Sequence, residues 1–484
     1  MLRAISCETR GNIIYAMLST ILVAGASIFT RLLVGRFWGA SFLGLFSLSV
    51  AIMLLAARVG SMGIDVGLTR YLALKYENKD AQAEYAISGL LITFIAGIFA
   101  GILTYFLSSS ISDFFNIPSL KNVLKTLSFT ILPMALNFSI IGIANGIERV
   151  RIIFAINCLK YVSTVAALLI VHAAHLPTHY IFYSYMVAEI AAFLYGLGFL
   201  RKQGLLKISI VAKKSKSLIR FGLQVMCVCL LVDLNTRLDM FFIGYYGSQT
   251  EVGVYSIAIL FSKAFLIIPA ALLKITTPAI ARYHGLNEFK PIGSLVTVAI
   301  KSTSLVLTPI AMLLVLLYSD FVSFFFRGQQ EFFRSYTPFI ILTLSILPLA
   351  VMNTFGNIFP SSGRPDLSMK LIAGMILINA VLNYMLVPRY GVVGAATATT
   401  ISTLMFIVAK VIIIKRVFSY PISYKGFLLL ALGGAAFLIG KIGFSFNRPV
   451  QLAVIFIIFS AGIFITRLVN KDDIMTLLQV ARFR

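Results

Sequence analysis

Charged side chains interrupt the long apolar segments of this sequence, and they are the residues there that could do chemistry. The acidic residues in such segments number four: Asp65, Glu189, Asp233 and Asp239. The basic residues number eight: Arg31, Arg58, Lys160, Arg237, Lys263, Lys274, Lys301 and Lys410. A charged group in an apolar medium is expensive unless it faces a partner or a polar cavity. The excess of positive charge therefore predicts a site for an anion.

Some of these charges have spacings that predict ion pairs. Asp233 and Arg237 are four residues apart and can pair on one face of a helix. The other interpretation of Asp233 is an acid that responds to protons or Na⁺, with Asp239 as a second candidate. Glu189 and Lys160 lie in consecutive apolar segments, which predicts a neutralising pair.

Metal, nucleotide and catalytic motifs give little signal. His172, His175 and His179 have a spacing that can ligate zinc, but neither Cys nor carboxylate accompanies them nearby, so no metal site is predicted. The sequence also lacks a G-x4-G-K-[ST] phosphate loop, which disfavours an ATP-driven pump. We expect no cofactor and no enzymatic activity.

The elements that must position these charges are membrane-spanning helices. Hydrophobic residues make up 59% of the 484 residues and charged residues only 12%, whereas soluble proteins carry about 25% charged residues. The sequence predicts an all-α polytopic membrane protein of about fourteen transmembrane helices. These lie near residues 12–34, 42–66, 85–108, 122–146, 152–173, 178–200, 217–246, 252–280, 291–318, 336–359, 367–387, 391–414, 424–443 and 449–469.

Basic residues concentrate in alternate loops, which predicts the orientation of the chain. The richest segment, 201–220, contains seven Lys and Arg residues, whereas the loops on the opposite side are poor in them. By the positive-inside rule, both termini face the cytoplasm and the protein is a multi-pass component of the cell membrane. The net charge of +24 then reflects loops that meet anionic lipids, and no nucleic-acid partner is expected.

The sequence repeats itself at long range. RLLVGRFWGASFLGLFSLSVA at 31–51 corresponds to LDMFFIGYYGSQTEVGVYSIA at 238–258, and ILPMA at 131–135 corresponds to ILPLA at 346–350. Two six-helix repeats in the same orientation would enclose a central cavity. We predict an N-terminal lobe at 1–212, a C-terminal lobe at 213–418, and two additional helices with a cytoplasmic tail at 419–484.

These segments resemble the polysaccharide-type flippases of the multidrug/oligosaccharidyl-lipid/polysaccharide exporter superfamily. The resemblance is carried by TRLL at 30–33, Gly39, GLFS at 44–47, GIDVGLTRYLA at 63–73, RLDMFFIG at 237–244 and VGVYSIA at 252–258. It implies a V-shaped pair of six-helix lobes that carries polyprenyl-linked glycans across the membrane by alternating access. The expected partners are an anionic polyprenyl-linked glycan and membrane lipids. Glycan-assembly enzymes are a further candidate partner.

Arg31, Arg58 and Lys263 form the predicted binding group for the anionic cargo, with Arg237 and Lys274 as further candidates. The placement of Arg31, Arg58 and Lys263 is similar to the cationic cavity of lipid II flippases. The alternative for Arg31 and for Arg58 is an interfacial anchor whose side chain reaches the head groups. Two competing functions also stay open: a multidrug exporter of organic cations, which should carry acids in its cavity, and a membrane glycan polymerase or acyltransferase.

Overall fold

The computed structural model describes residues 7–75, 78–206, 212–418, 420–443 and 448–466, and these residues form helices and short connections without a β-strand. Nine of the described helices are long and apolar enough to cross a membrane. Large apolar side chains such as Phe99 and Phe106 point outward from them, and Phe106 is 75% exposed. Such surfaces suit contact with lipid, and together with the long apolar helices they confirm the all-α polytopic prediction. The number fourteen stays a prediction.

The described chain divides into two compact units, Met1–Ile257 and Ala258–Arg484. The helices of the first unit are α1 (Cys7–Ser61), α2 (Ile64–Leu74), α3 (Lys79–Phe114), α4 (Pro118–Gly146), α5 (Val150–Ala173), α6 (Tyr180–Lys202), α7 (Ala212–Asn235) and α8 (Leu238–Tyr246), with α9 (Gln249–Ala264) continuing into the second. The helices of the second unit are α10 (Ile267–Gly285), α11 (Phe289–Phe325), α12 (Tyr336–Asn353), α13 (Ile358–Ser361), α14 (Pro365–Ile413), α15 (Phe427–Gly443) and α16 (Arg448–Thr466). The predicted lobe boundary at 212/213 and the V-shaped arrangement stay predictions.

Several predicted spans are parts of longer helical stretches. The spans at 12–34 and 42–66 meet at Gly39, where φ is 83° and the backbone leaves the helical region. The spans at 367–387 and 391–414 meet in the same way at Gly391, where φ is 53°. A positive φ is accessible to glycine without steric strain, so each glycine separates two helical segments.

The core of each unit is built from aliphatic and aromatic side chains between its own helices. In the first unit Leu68, Ile140 and Leu200 join α2, α4 and α6. In the second, Val351, Phe355 and nearby apolar residues pack with Ile300 and Ile407 of α11 and α14. These clusters hold the helices that carry the intramembrane charges.

Two glycines from the sequence repeat make a reciprocal contact within the first unit. A Cβ atom at Gly44 would overlap the carbonyl oxygen of Gln249, and one at Gly253 would overlap the carbonyl oxygen of Ala40. Gly253 follows Gly44 by 209 residues, and Gln249 follows Ala40 by the same number. The offset of 209 residues therefore exchanges the contact of Gly44 with Gln249 and the contact of Gly253 with Ala40. Two-fold rotational symmetry produces reciprocal contacts of this kind. The Gln249 side chain adds a hydrogen bond from Nε2 to the Ser41 carbonyl at 2.8 Å.

Candidate functional site

A break between α1 and α2 brings Asp65 to Arg58. Met62 and Gly63 both have positive φ, 50° and 66°, and α2 begins at the next residue. The Arg58 Nη1 then donates to Asp65 Oδ2 at 3.1 Å. Seven residues separate the two, so a continuous helix would place them about two turns apart along its axis. The pairing therefore depends on the break.

Close packing against α4 fixes the position of Asp65. A Cβ atom at Gly142 of α4 would overlap the backbone carbonyl of Asp65. The Thr69 hydroxyl of α2 donates to the Gly142 carbonyl oxygen at 3.0 Å. The absence of a side chain at Gly142 thus lets the two helices touch through their backbones, and α2 is held in one register.

Helix α7 reaches the same site through a second glycine contact. A Cβ atom at Gly222 would lie 2.6 Å from the Met62 carbonyl oxygen, so α7 packs directly on the break. Asp233 lies eleven residues later on α7, about three turns along the helix. The Arg58 Nε donates to its Oδ2 at 3.0 Å. Arg58 is therefore shared between carboxylates of two different helices.

Arg237, which lies between the end of α7 and the first residue of α8, completes the group. Its Nη1 donates to the Asp233 carbonyl oxygen at 2.8 Å and lies 3.5 Å from Asp233 Oδ1. The predicted Asp233–Arg237 pair is confirmed. We refer to Arg58, Asp65, Asp233 and Arg237 as the arginine–aspartate network; it contains two positive and two negative formal charges.

Sequence reasoning missed the link from Arg58 to both carboxylates. It placed Asp65 among the intramembrane acids. Sequence spacing predicts which side chains meet only within a continuous helix, and the break at Met62 and Gly63 lies between Arg58 and Asp65. The Arg58 guanidinium also lies over the Phe138 ring at 4.6 Å, and its side chain is 19% exposed. The Asp65 Oδ1 atom is buried without a hydrogen-bond partner among the described residues. The Arg58 side chain is thus fixed in position by its contacts with Asp65, Asp233 and Phe138.

Arg31 differs from the network arginines because it has no carboxylate partner in the described parts of the chain. Its Nη1 donates to Ser27 Oγ at 3.2 Å, one turn earlier on α1. It lies within electrostatic range of Arg237 and of Tyr185. Together with the balanced network, Arg31 leaves one net positive charge at this place in the apolar helices.

The other predicted site residues lie elsewhere. Lys263 is half-buried in the last turn of α9, in the second unit, and the side chain of Lys274 lies outside the described residues. The grouping of Lys263 with Arg31 and Arg58 therefore stays a prediction. Asp239 is buried in the first turn of α8, where its Oδ2 accepts a hydrogen bond of 2.5 Å from the Tyr255 hydroxyl.

A second ion pair joins α5 and α6. The Lys160 Nζ lies 2.6 Å from Glu189 Oε1, and the Asn137 amide of α4 donates to Glu189 Oε2 at 2.7 Å. Glu189 is only 4% exposed. Because both carboxylate oxygens have partners, the predicted neutralising pair is confirmed and has a structural role.

The histidine near the end of α5 has aromatic neighbours. The His172 ring stacks on Phe37 with 3.7 Å between the ring centroids, and the Trp38 ring contacts it edge-on at 5.8 Å. These contacts join the middle of α1 to the end of α5. They supply a packing role for His172.

The family model described as Polysaccharide biosynthesis protein matches residues 10–284, more than half of the chain. The chain belongs to this family. The matched region contains the whole arginine–aspartate network, Arg31 and Lys263. A second model, MatE, matches residues 225–385.

Two curated relatives from Haloferax volcanii are similar over part of the chain. The probable low-salt glycan biosynthesis flippase Agl15 is 22% identical over 267 residues, which cover 54% of this chain and 54% of that protein. The probable flippase AglR is 26% identical over 207 residues, which cover 41% of this chain and 42% of that protein. The chain thus spans about half the length of the curated relatives it matches.

Solved structures share the fold of this polysaccharide biosynthesis family member over most of its length. The lipid II flippase MurJ in its inward closed conformation aligns with a TM-score of 0.75 at 15% identity, covering 94% of this chain and 99% of that chain. An inward-facing multidrug resistance MATE family transporter of the MOP superfamily aligns with a TM-score of 0.56 at 15% identity, covering 84% and 94%. At such identities the likeness shows the fold alone.

Proposed function

We propose that this chain is a flippase that moves lipid-linked oligosaccharide or polysaccharide precursors across the cytoplasmic membrane by alternating access. The name of its relative Agl15, a probable low-salt glycan biosynthesis flippase, supports the substrate class, and the name of AglR supports flippase activity. The observation that carries the proposal is the uncompensated charge of Arg31 beside a charge-balanced network within apolar helices. A cationic excess among apolar helices favours an anionic cargo, such as the phosphate groups that join a glycan to its lipid.

The arginine–aspartate network suits this function because it can exchange partners. Arg58 contacts two carboxylates through Nε and Nη1, and an arriving phosphate can replace one of them without leaving the guanidinium unpaired. Transport further requires that the cargo bind inward- and outward-facing states with different affinities. In this proposal Arg31 and Lys263 bind the head group and Arg58 links that binding to the position of α7.

The ion-coupling roles of Asp233 and Asp239 stay proposals. Asp233 is already balanced by two arginines, which favours a structural role over binding of a free cation. Asp239 accepts a hydrogen bond from Tyr255 in a buried setting, which also suits a structural role. The energy source we propose is an ion gradient, the membrane potential or mass action.

The function is tested by complementation of a strain that lacks its own glycan-lipid flippase. Arg31→Ala removes a charge-assisted contact to the cargo, so we expect glycan export to fall about tenfold or more at unchanged membrane abundance. Lys263→Ala should have an effect in the same direction. The matched control is Arg36→Ala, which removes an exposed arginine five residues further along α1 and should leave export unchanged.

Normal abundance and wild-type export for the Arg31→Ala, Arg58→Ala and Lys263→Ala variants together would overturn the anionic-cargo proposal. A multidrug exporter is the second candidate because the MatE model matches residues 225–385. That function predicts resistance to organic cations in the complemented strain and no effect on glycan export.

The proposed topology places both termini in the cytoplasm, because the basic loops alternate with loops that are poor in Lys and Arg. Single cysteines introduced at 172–179 and 319–335 should react with an impermeant thiol reagent added to intact cells. Cysteines introduced in 201–216 should react only after the membrane is opened. Labelling of cysteines in 201–216 from outside intact cells would show that the proposed topology is wrong.

A further inference from the structure

A cavity inside the second unit contains polar groups that the proposed transport mechanism does not use. It has a volume of about 360 Å³ and lies between α10, α12 and α14. Leu273, Leu371 and Phe406 form apolar parts of its wall, and Asn353 and Lys410 are polar parts. This size and composition fit the usual pattern of small-ligand sites, which are mostly apolar with a few directed polar groups.

Lys410 is the unusual member of the wall. It is 4% exposed, and its ammonium group contacts the aromatic rings of Phe355 and Phe406 at 5.6 and 5.9 Å. No carboxylate in the described part of the chain lies within ion-pair distance of it. Aromatic rings compensate a buried ammonium only in part, so the position favours an anion in the cavity.

Two uncharged side chains in the same wall are also available for a ligand. The Asn353 amide at the end of α12 and the Ser368 hydroxyl in the first turn of α14 make no side-chain hydrogen bond to the described residues. Both are half-buried. By contrast, the neighbouring Asn357 amide already donates to Thr277 Oγ1 at 3.2 Å. One cation and two further hydrogen-bond donors suit an oxyanion better than a halide ion.

We propose that this cavity binds a phosphate group, with Lys410 as its counter-ion and with Asn353 and Ser368 as hydrogen-bond donors. The phosphate can come from an anionic phospholipid or from free phosphate in the cytosol. The apolar walls favour the phospholipid, whose glycerol and acyl carbons would pack against Leu273 and Leu371. All the residues lie in the second unit, so the site shares no residue with Arg31 or the arginine–aspartate network, and the proposal does not rest on the transport function.

The test uses the full-length protein, delipidated in dodecyl maltoside and titrated with phosphatidylglycerol, phosphatidylcholine or inorganic phosphate. Native mass spectrometry should show one more tightly held phosphatidylglycerol on the wild type than on Lys410→Met, with the dissociation constant of that lipid raised about tenfold or more in the variant. Phosphatidylcholine should show no such difference. Thermal stabilisation by inorganic phosphate alone that depends on Lys410 would identify free phosphate as the source.

Two further variants keep the result interpretable. Lys415→Met removes an exposed lysine five residues further along and should bind lipid as the wild type does. Gly356→Leu keeps Lys410 but fills the cavity, because a Cβ atom there lies 3.3 Å from the Asn353 carbonyl oxygen and 3.7 Å from Leu273 Cδ1 in the cavity wall. It should lose the same lipid as Lys410→Met. Equal lipid retention and equal stabilisation by both probes in the wild type and Lys410→Met would overturn the proposal. Wild-type binding by a folded Gly356→Leu variant would also overturn it.

Discussion

Replacement of Arg58 by alanine is expected to abolish glycan export and to lower the amount of protein in the membrane. The substitution leaves Asp65 without a partner and Asp233 with Arg237 alone. Removal of one member of a fully buried ion pair destabilises proteins by about 3–5 kcal/mol, and this network, whose side chains are 16–25% exposed, should lose less than that. Arg58→Lys should lose less, because it keeps the charge, but an ammonium cannot reproduce the separate Nε and Nη1 contacts. Quantitative immunoblotting of membranes and export assays on the same cells measure both effects.

A double variant separates the structural role of Arg58 from a role in cargo binding. Arg58→Met with Asp65→Asn removes one positive and one negative charge and leaves the Asp233–Arg237 pair intact. We expect membrane abundance to return close to the wild-type level, because no carboxylate is left unpaired. Export should stay low if Arg58 also binds the cargo. Recovery of export together with abundance would show that Arg58 serves only to hold the helices.

Alanine at Gly44 or Gly253 is expected to disrupt the reciprocal helix contact of the first unit. Each new Cβ atom would overlap a backbone carbonyl, of Gln249 in one case and of Ala40 in the other, and neither carbonyl is a flexible side-chain end. Overpacking of this kind costs about 1–3 kcal/mol. If separation of this contact is part of alternating access, that cost displaces the conformational equilibrium about fivefold to 150-fold towards the separated state. We expect both variants to lower export and the unfolding temperature of the purified protein.

The reciprocity of the contact supplies a quantitative check. Because both substitutions act on one contact, the double variant should be less impaired than the sum of the two single effects. Gly25→Ala is the matched control on α1, because nothing lies within 4 Å of a Cβ atom at that position. Wild-type export and stability for both Gly44→Ala and Gly253→Ala would show that the helices separate readily in this region.

The sequence predicted local pairs better than long-range ones. Asp233 and Arg237 pair as their spacing indicates, although α7 ends at Asn235 and Arg237 lies just before α8, because only four positions separate them in the chain. The pairing of Lys160 with Glu189 was predicted correctly because the two residues lie in consecutive helices. The Arg58–Asp233 contact joins residues 175 positions apart, and it depends on the packing of α7 against the break at Met62 and Gly63. No periodicity within one segment reports such a contact.

The amino-acid sequence by itself determined that this protein is an all-α membrane protein, because 59% hydrophobic residues in long segments leave helices in lipid as the favourable arrangement. It also determined which charges lie within those helices. Only the tertiary structure decided which of these charges are neutralised: Arg58 by Asp65 and Asp233, Lys160 by Glu189, and Arg31 and Lys410 by none of the described carboxylates. The physical reason is that an ion pair requires contact within about 4 Å. Contacts of that kind are set by helix breaks and glycine-mediated backbone packing, which composition and spacing do not encode.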